Sequence, residues 1–189
     1  CMAKTSPVRK VVKKDSGQLS VISDQTITRV RELAWTGQHA QAIDLATQAL
    51  SRLPKSSRLK SEMDLLDLRA KSHLAQMNID AADKDSALMI KMAGKEKKAA
   101  WRARAYLIKG QVQVYQSNSR AARTTLTSAL KISRRAKQKA LEAEALYWLG
   151  SLVRTGKESM EFLQQSADMY LALGDASGTG RAMVALTFA

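Results

Sequence analysis

The feature that most constrains the fold of this 189-residue chain is a pattern that returns every 40 residues. Ala42, Ala82 and Ala122 stand at that interval, and the apolar residues around them follow the three- and four-residue spacing of one helix face. A similar helical stretch precedes the first alanine, and a short turn at 36–38 separates the two stretches. Each unit is therefore predicted to be a hairpin of two helices. Since a helix pair alone cannot bury its apolar face, we expect the units to stack.

The helix boundaries follow from the same periodicity and from the Pro, Gly and small polar residues that end the apolar stretches. First helices are predicted near 24–36, 58–77, 98–116 and 138–155, and second helices near 39–53, 79–93, 119–136 and 158–173. The all-α repeat domain spans 21–189, with units near 24–54, 58–94, 98–136 and 138–173 and a truncated fifth unit from 175. Residues 1–20 are predicted to form a flexible basic arm.

Three stretches carry junctions that are typical of one repeat family. They are Gly37, Ala42, Ala46, Ala49-Leu50 and Pro54 in the first unit, Leu149-Gly150 in the fourth, and Tyr170, Gly174-Asp175, Gly178 and Ala182-Met183 at the end. The chain resembles the tetratricopeptide repeat (TPR) family, in the form found in arrays of bacterial signalling and transcription-regulatory proteins. The resemblance implies a right-handed superhelical stack of about four hairpins that binds a peptide or protein on its concave surface.

The resemblance also implies which side chains face that concave surface. In the third unit they are Arg104, Leu107, Gln111, Val114 and Tyr115, and in the second Asp67, Lys71 and the pair His73-Leu74. The sequence departs from the family at Met77, where glycine is preferred, and at Asp83 and Ser86, which stand at usually apolar positions. The Lys/Asn pattern by which chaperone-binding members hold a terminal carboxylate is missing, so that specific function is not expected.

The net charge of +14 is concentrated in one part of the chain. Residues 84–139 hold fifteen basic and two acidic side chains, a charge of +13, whereas 15–83 and 140–189 carry −1 and −3. No Asp or Glu occurs between Lys97 and Leu141. Residues 84–139, the basic block, are therefore either a solvated surface or a binding site for an anionic partner.

Helical spacing groups the cations of the basic block on particular faces. The candidate binding residues, added to the concave-surface set of the third unit, are Lys98, Arg102, Lys109, Lys131, Arg134 and Arg135. An acidic protein segment is the preferred partner. Nucleic acid is the second choice, because no zinc-finger or RNA-binding signature occurs and the few aromatic residues do not interleave with the basic ones.

The sequence offers little material for catalysis. It has one cysteine and two histidines, and neither His39 nor His73 has a nucleophile or paired carboxylate at the spacing of a local motif. We therefore predict no enzyme activity, cofactor or metal; the alternative is an enzyme whose site is assembled from distant residues. The resemblance to TPR arrays implies a non-catalytic protein–protein interaction module, the regulatory or sensing part of a larger bacterial signalling protein.

The two ends of the chain carry further expectations. Cys1 precedes Met2, the expected natural start, and is interpreted as an added residue, with a lipidated N-terminus as the alternative. Neither a secretory signal nor an apolar run of about 18 residues follows, so the predicted location is the cytoplasm. The chain stops inside a predicted first helix, which indicates a fragment. If no further repeat caps this end, Met183, Leu186 and Phe188 are expected to pair with another copy, giving a homodimer.

Overall fold

The computed structural model describes residues 16–53, 58–96, 98–153 and 156–189, with 16–23 and 58 described through their backbone alone. Over these ranges the chain forms nine α-helices and no strand. The helices are α1 (Ser16–Trp35), α2 (His39–Arg52), α3 (Arg58–Ala75), α4 (Ile79–Glu96), α5 (Ala99–Tyr115), α6 (Ser119–Arg135), α7 (Lys139–Leu152), α8 (Lys157–Ala172) and α9 (Ala176–Leu186). The predicted all-α class is confirmed.

Helices α2 to α8 begin and end within three residues of their predicted bounds. Helix α1 starts earlier, at Ser16, so residues 16–20 belong to this helix and not to the predicted arm. The rest of that arm and Pro54 lie outside the described residues. Helix α4 was predicted to end near 93 but includes Gly94 and continues to Glu96.

Five turns between helices share one backbone geometry. A left-handed residue with φ between 55° and 77° stands at the centre of each, at Gly37, Met77, Ser117, Lys137 and Gly174. The next amide N–H donates to the carbonyl oxygen five residues back, at 2.8–3.0 Å, as in a Schellman helix ending. Met77 therefore adopts the backbone for which the family prefers glycine, and the turn keeps its form despite the departure.

The helices pack in two layers. Every helix packs against the next one along the chain, and each odd-numbered helix also contacts the next odd-numbered helix. Within the described residues, the even-numbered helices make no such contact with one another. Odd-numbered helices therefore form the more closely spaced layer, here called the inner layer, and even-numbered helices form the outer layer.

Small residues allow the two layers to approach closely. Ala42, Ala82 and Ala122 are fully buried, which confirms that they serve packing. A Cβ atom added to Gly110 would lie 2.5 Å from Leu126 Cδ2, far inside van der Waals contact. Glycine at this position of α5 is what lets α6 pack directly onto it.

The second unit buries an ion pair and a hydroxyl group in its packing. Asp85 is 3% exposed, and Arg69 donates to it through Nε at 2.9 Å and Nη2 at 2.6 Å. The Ser86 hydroxyl donates to the carbonyl of Asp83 at 2.8 Å. Because these groups satisfy one another, the polar residues at Asp83 and Ser86 leave the helical register intact.

The three tryptophans stand at comparable stages of first helices, which predicts core packing, and the structure confirms it at two of them. Trp101 and Trp148 are half-buried and pack against the core. Trp35 is 78% exposed, so the expectation that it packs in the core is wrong. It is the last residue of α1 and lies beyond Leu33, the last buried residue of that helix.

Candidate binding surfaces

A row of charged side chains crosses the inner layer at one repeat position. Asp64 in α3, Arg104 in α5 and Glu144 in α7 stand 40 residues apart. The Arg104 Nη1 donates to Asp64 Oδ1 at 2.5 Å, and its Nε lies 3.6 Å from the buried carboxylate of Asp67. Lys71 completes the row, since its ammonium lies 3.6 Å from Asp67 and 3.7 Å from Glu144.

The two basic side chains of this row are paired with carboxylates of the same row. Burial alone would lower the pKa of Lys71, but the carboxylates of Asp67 and Glu144 outweigh burial and raise that pKa. The pKa of Arg104 is raised in the same way, because Asp67 and Asp64 outweigh its burial. Lys71 and Arg104 were predicted to face a partner; in the structure both are half-buried and paired with internal carboxylates.

The other predicted concave-surface residues of α5 divide into buried and exposed. Leu107 is 1% exposed and belongs to the core, so it is unavailable to a partner in this structure. Gln111 is also buried, and its Nε2 donates to Glu144 Oε1 at 3.0 Å. Val114 is half-buried against the core, while Tyr115 is exposed, with its ring centroid 6.1 Å from that of Trp148.

Two further predicted cations are paired with acids from other helices. Lys109 donates to Asp83 Oδ1 at 2.5 Å. Arg134 donates to Glu142 Oε1 at 3.0 Å, and Lys139 donates to the second carboxylate oxygen at 3.1 Å. Burial would raise the pKa of Glu142, but the hydrogen bonds from Arg134 and Lys139 outweigh it and lower that pKa. Cations between Lys97 and Leu141, where no acid occurs, thus pair with carboxylates from the units before and after.

A second set of cations has no acidic partner among the described residues. All of its members are exposed; they are Lys84, Lys91, Lys95, Arg102, Arg120, Lys131, Arg135 and Lys137. Lys98 is likewise exposed and lies over the ring of Trp101, at 4.3 Å from the centroid. Lys97 lies outside the described residues. Of the six basic side chains added as binding candidates, Lys98, Arg102, Lys131 and Arg135 therefore remain open to an anion.

The sequence carries one signal for the charged row, although not the contacts within it. Asp64 and Glu144 were not among the predicted residues, although they lie 40 residues either side of Arg104. Comparing the charge at each repeat position, in addition to the apolar pattern, would have shown the acid–base–acid order. The 40-residue spacing is the signal that identifies these partners.

Neither histidine belongs to a metal-binding cluster of side chains among the described residues. His39 and His73 are both half-buried, with no hydrogen-bond partner at Nδ1. Burial lowers the pKa of His73, outweighing the nearby carboxylate of Asp85. In the ranges that the structure describes, no three His, Cys, Asp or Glu side chains are grouped as a metal site would require.

The last described helix leaves apolar side chains uncovered. Met183, Val184 and Phe188 are 54%, 61% and 76% exposed. Leu186, which was expected to be exposed with them, is half-buried. None of the helices in the described segments is long and apolar enough to cross a membrane.

Comparison with known proteins adds no family assignment. The sequence matches no protein-family model and no curated protein. The resemblance to TPR arrays therefore stays a prediction from the repeat positions of the sequence.

Proposed function

We propose that this chain is a non-catalytic protein–protein interaction module that binds an acidic segment of a protein partner. The observation that carries the proposal is the distribution of cations after internal pairing. The inner-layer cations Lys71 and Arg104 are compensated, whereas exposed cations without a carboxylate remain along α4, α5 and α6. A surface of this kind attracts an acidic segment by screened Coulomb forces and accelerates its association.

The repeat architecture supports the same proposal. A stack of helical hairpins offers a long surface for a bound segment without requiring a catalytic site. The similarity to TPR arrays favours a role as the regulatory or sensing part of a larger bacterial signalling protein in the cytoplasm. The uncovered side chains Met183, Val184 and Phe188 support pairing with a second copy at that end of the stack.

Nucleic acid is the second candidate, and the charge of the basic block favours it. The aromatic residues of the block argue against base stacking, since Trp101 is half-buried beneath Lys98 and Tyr115 is packed near Trp148. Phosphate contacts alone would make the binding steeply dependent on salt. An enzyme with a site assembled from distant residues is a third candidate. Among the described residues, no metal-binding group of His, Cys, Asp or Glu side chains favours it.

Salt dependence separates the first two candidates. A labelled glutamate-rich peptide, a DNA duplex and a DNA single strand are each titrated with the full chain at about 50 and about 200 mM salt. We expect the peptide to bind at both salt concentrations and to lose less affinity than DNA, which would lose several orders of magnitude if it contacted six or more phosphates. Tighter binding of either DNA than of the peptide at the higher salt would overturn the proposal in favour of nucleic acid.

A further inference from the structure

The unpaired cations are concentrated at one edge of the stack. Consecutive helices are joined by short turns and run antiparallel, so the C-terminal ends of α4 and α6 lie at the same edge as the N-terminal ends of α5 and α7. At this edge the chain passes from one unit to the next. The exposed cations in this region, here called the basic edge, are Lys91, Lys95, Lys98, Arg102, Lys131, Arg135 and Lys137.

The cations of the basic edge recur from unit to unit. Lys91 and Lys131 are 40 residues apart, as are Lys95 and Arg135, and within each helix the two members are four residues apart. Each pair therefore lies on one helix face, in the same orientation in two successive units. Like charges four residues apart on a helix repel each other, a cost that a bound anion would offset.

The carboxylates at this edge do not neutralise it. Glu142 is already held by Arg134 and Lys139. Glu96, at the end of α4, is a second acid there, and the described structure gives it no basic partner. Cations in the last turn of a helix, such as Lys95, also complement the helix dipole. That effect does not account for Arg102, which lies in the first turn of α5.

Half-buried apolar side chains accompany the cations. Met92 and Ile132 stand 40 residues apart, each directly after a lysine of the basic edge, and both are partly exposed. Aliphatic groups of a peptide could pack against them, whereas a phosphate backbone makes no use of such contacts. This recurring combination of cation and apolar side chain favours a protein segment over a nucleic acid.

We propose that the basic edge is the docking surface of the module and that its ligand is an extended protein segment with regularly spaced acidic side chains. The inference rests on the binding function proposed above and adds its location and the ligand's spacing. Helices that pack directly lie about 8–10 Å apart. Both α4 and α6 pack on α5 and not on each other, so equivalent cations of the two units are separated by more than one such spacing, roughly 10–15 Å. An extended chain advances about 3.3 Å per residue, so it needs an acid at every third or fourth residue.

The test compares two matched charge reversals in the full chain. The edge variant is Lys95→Glu with Arg135→Glu, and the control variant is Lys84→Glu with Arg120→Glu, which removes the same charge from exposed sites nearer the N-terminal ends of α4 and α6. The probe is a labelled peptide of about twelve residues with glutamate at every third or fourth position, spaced by serine and leucine. A peptide of identical composition with its glutamates clustered at one end is the second probe.

We expect the edge variant to weaken binding of the spaced peptide at least about tenfold and the control variant less than about threefold. We also expect the clustered peptide to bind more weakly than the spaced one. Equal losses in both variants, or equal affinity for both peptides, would overturn the docking surface and leave general attraction to the basic block. Binding of neither peptide by the unmodified chain at low salt would instead refute the proposed function itself. Circular dichroism of both variants establishes that they fold.

Discussion

The buried ion pair between Arg69 and Asp85 provides the sharpest test of how the second unit is stabilised. Asp85 stands at a position of α4 that is almost closed to solvent, with a side-chain exposure of 4%, and Arg69 of α3 is 17% exposed. The guanidinium donates two hydrogen bonds to the carboxylate and a third, at 3.0 Å, to Thr47 Oγ1. Replacing Arg69 with methionine keeps most of the apolar stem and removes the charge.

The expected cost follows from the burial of the remaining partner. A carboxylate that loses its cation in a closed site is left desolvated, and breaking such a pair from one side costs about 3–5 kcal/mol. The double variant Arg69→Met with Asp85→Leu removes both charges and fills the space with apolar atoms. Its free energy of unfolding should lie within about 1 kcal/mol of the unmodified chain, because the paired charges pay a desolvation penalty of their own.

Urea unfolding followed by far-ultraviolet circular dichroism measures these differences. Lys60→Met is the matched control, an exposed cation on the same helix, and should change stability by no more than about 0.5 kcal/mol. A loss below about 1 kcal/mol for Arg69→Met would refute the reasoning. So would a double variant that is as unstable as the two single variants added together, because the two residues would then be independent.

Three further substitutions test other parts of the structure. Met77→Gly relieves a left-handed residue at φ 58° and should raise the free energy of unfolding by about 0.5–1 kcal/mol in the same urea assay; a loss of stability would contradict the turn geometry. Gly94→Ala and Gly110→Ala should change the free energy of unfolding in opposite directions. A Cβ at Gly94 meets nothing within 4 Å, so Ala there should raise it by about 1 kcal/mol through helix propensity. A Cβ at Gly110 meets Leu126 at 2.5 Å, and overpacking of about 1–3 kcal/mol outweighs the same gain. The folded-state pKa of His73 lies below its unfolded value, so the unfolded chain takes up the proton first as the pH falls. The stability of the unmodified chain should therefore decrease below about pH 6.5, and His73→Gln should flatten this pH dependence. An unchanged pH profile in urea titrations would contradict this assignment.

The helix pattern could be predicted from the sequence because it depends on neighbouring residues. Apolar spacing of three and four residues defines a helix face, and the 40-residue interval marks where each unit repeats. The bounds of α2 to α8 therefore agree closely with the prediction, and the buried alanines Ala42, Ala82 and Ala122 follow from the same pattern. The earlier start of α1 was not predicted, although Leu19 and Ile22 fall at the helical spacing of Val30 and Leu33.

The candidate surface could be predicted only in part. The sequence showed a basic block and therefore where an anion would be attracted, and Lys131 and Arg135 remain open to one. It did not show that Leu107 is in the core, because α5 has one face that packs in the core and another face on the surface of the inner layer. Assigning α5 residues to one of these faces requires knowing which neighbouring helix covers each side.

By itself the sequence determined the helices, their turns and the excess of positive charge, since each of these depends on residues that are close along the chain. The tertiary structure decided which of those charges are free. Arg104 meets Asp64 across 40 residues, and Lys109 meets Asp83 across 26. An ion pair depends on the distance between two side chains in space, and the packing of α3, α4 and α5 sets that distance.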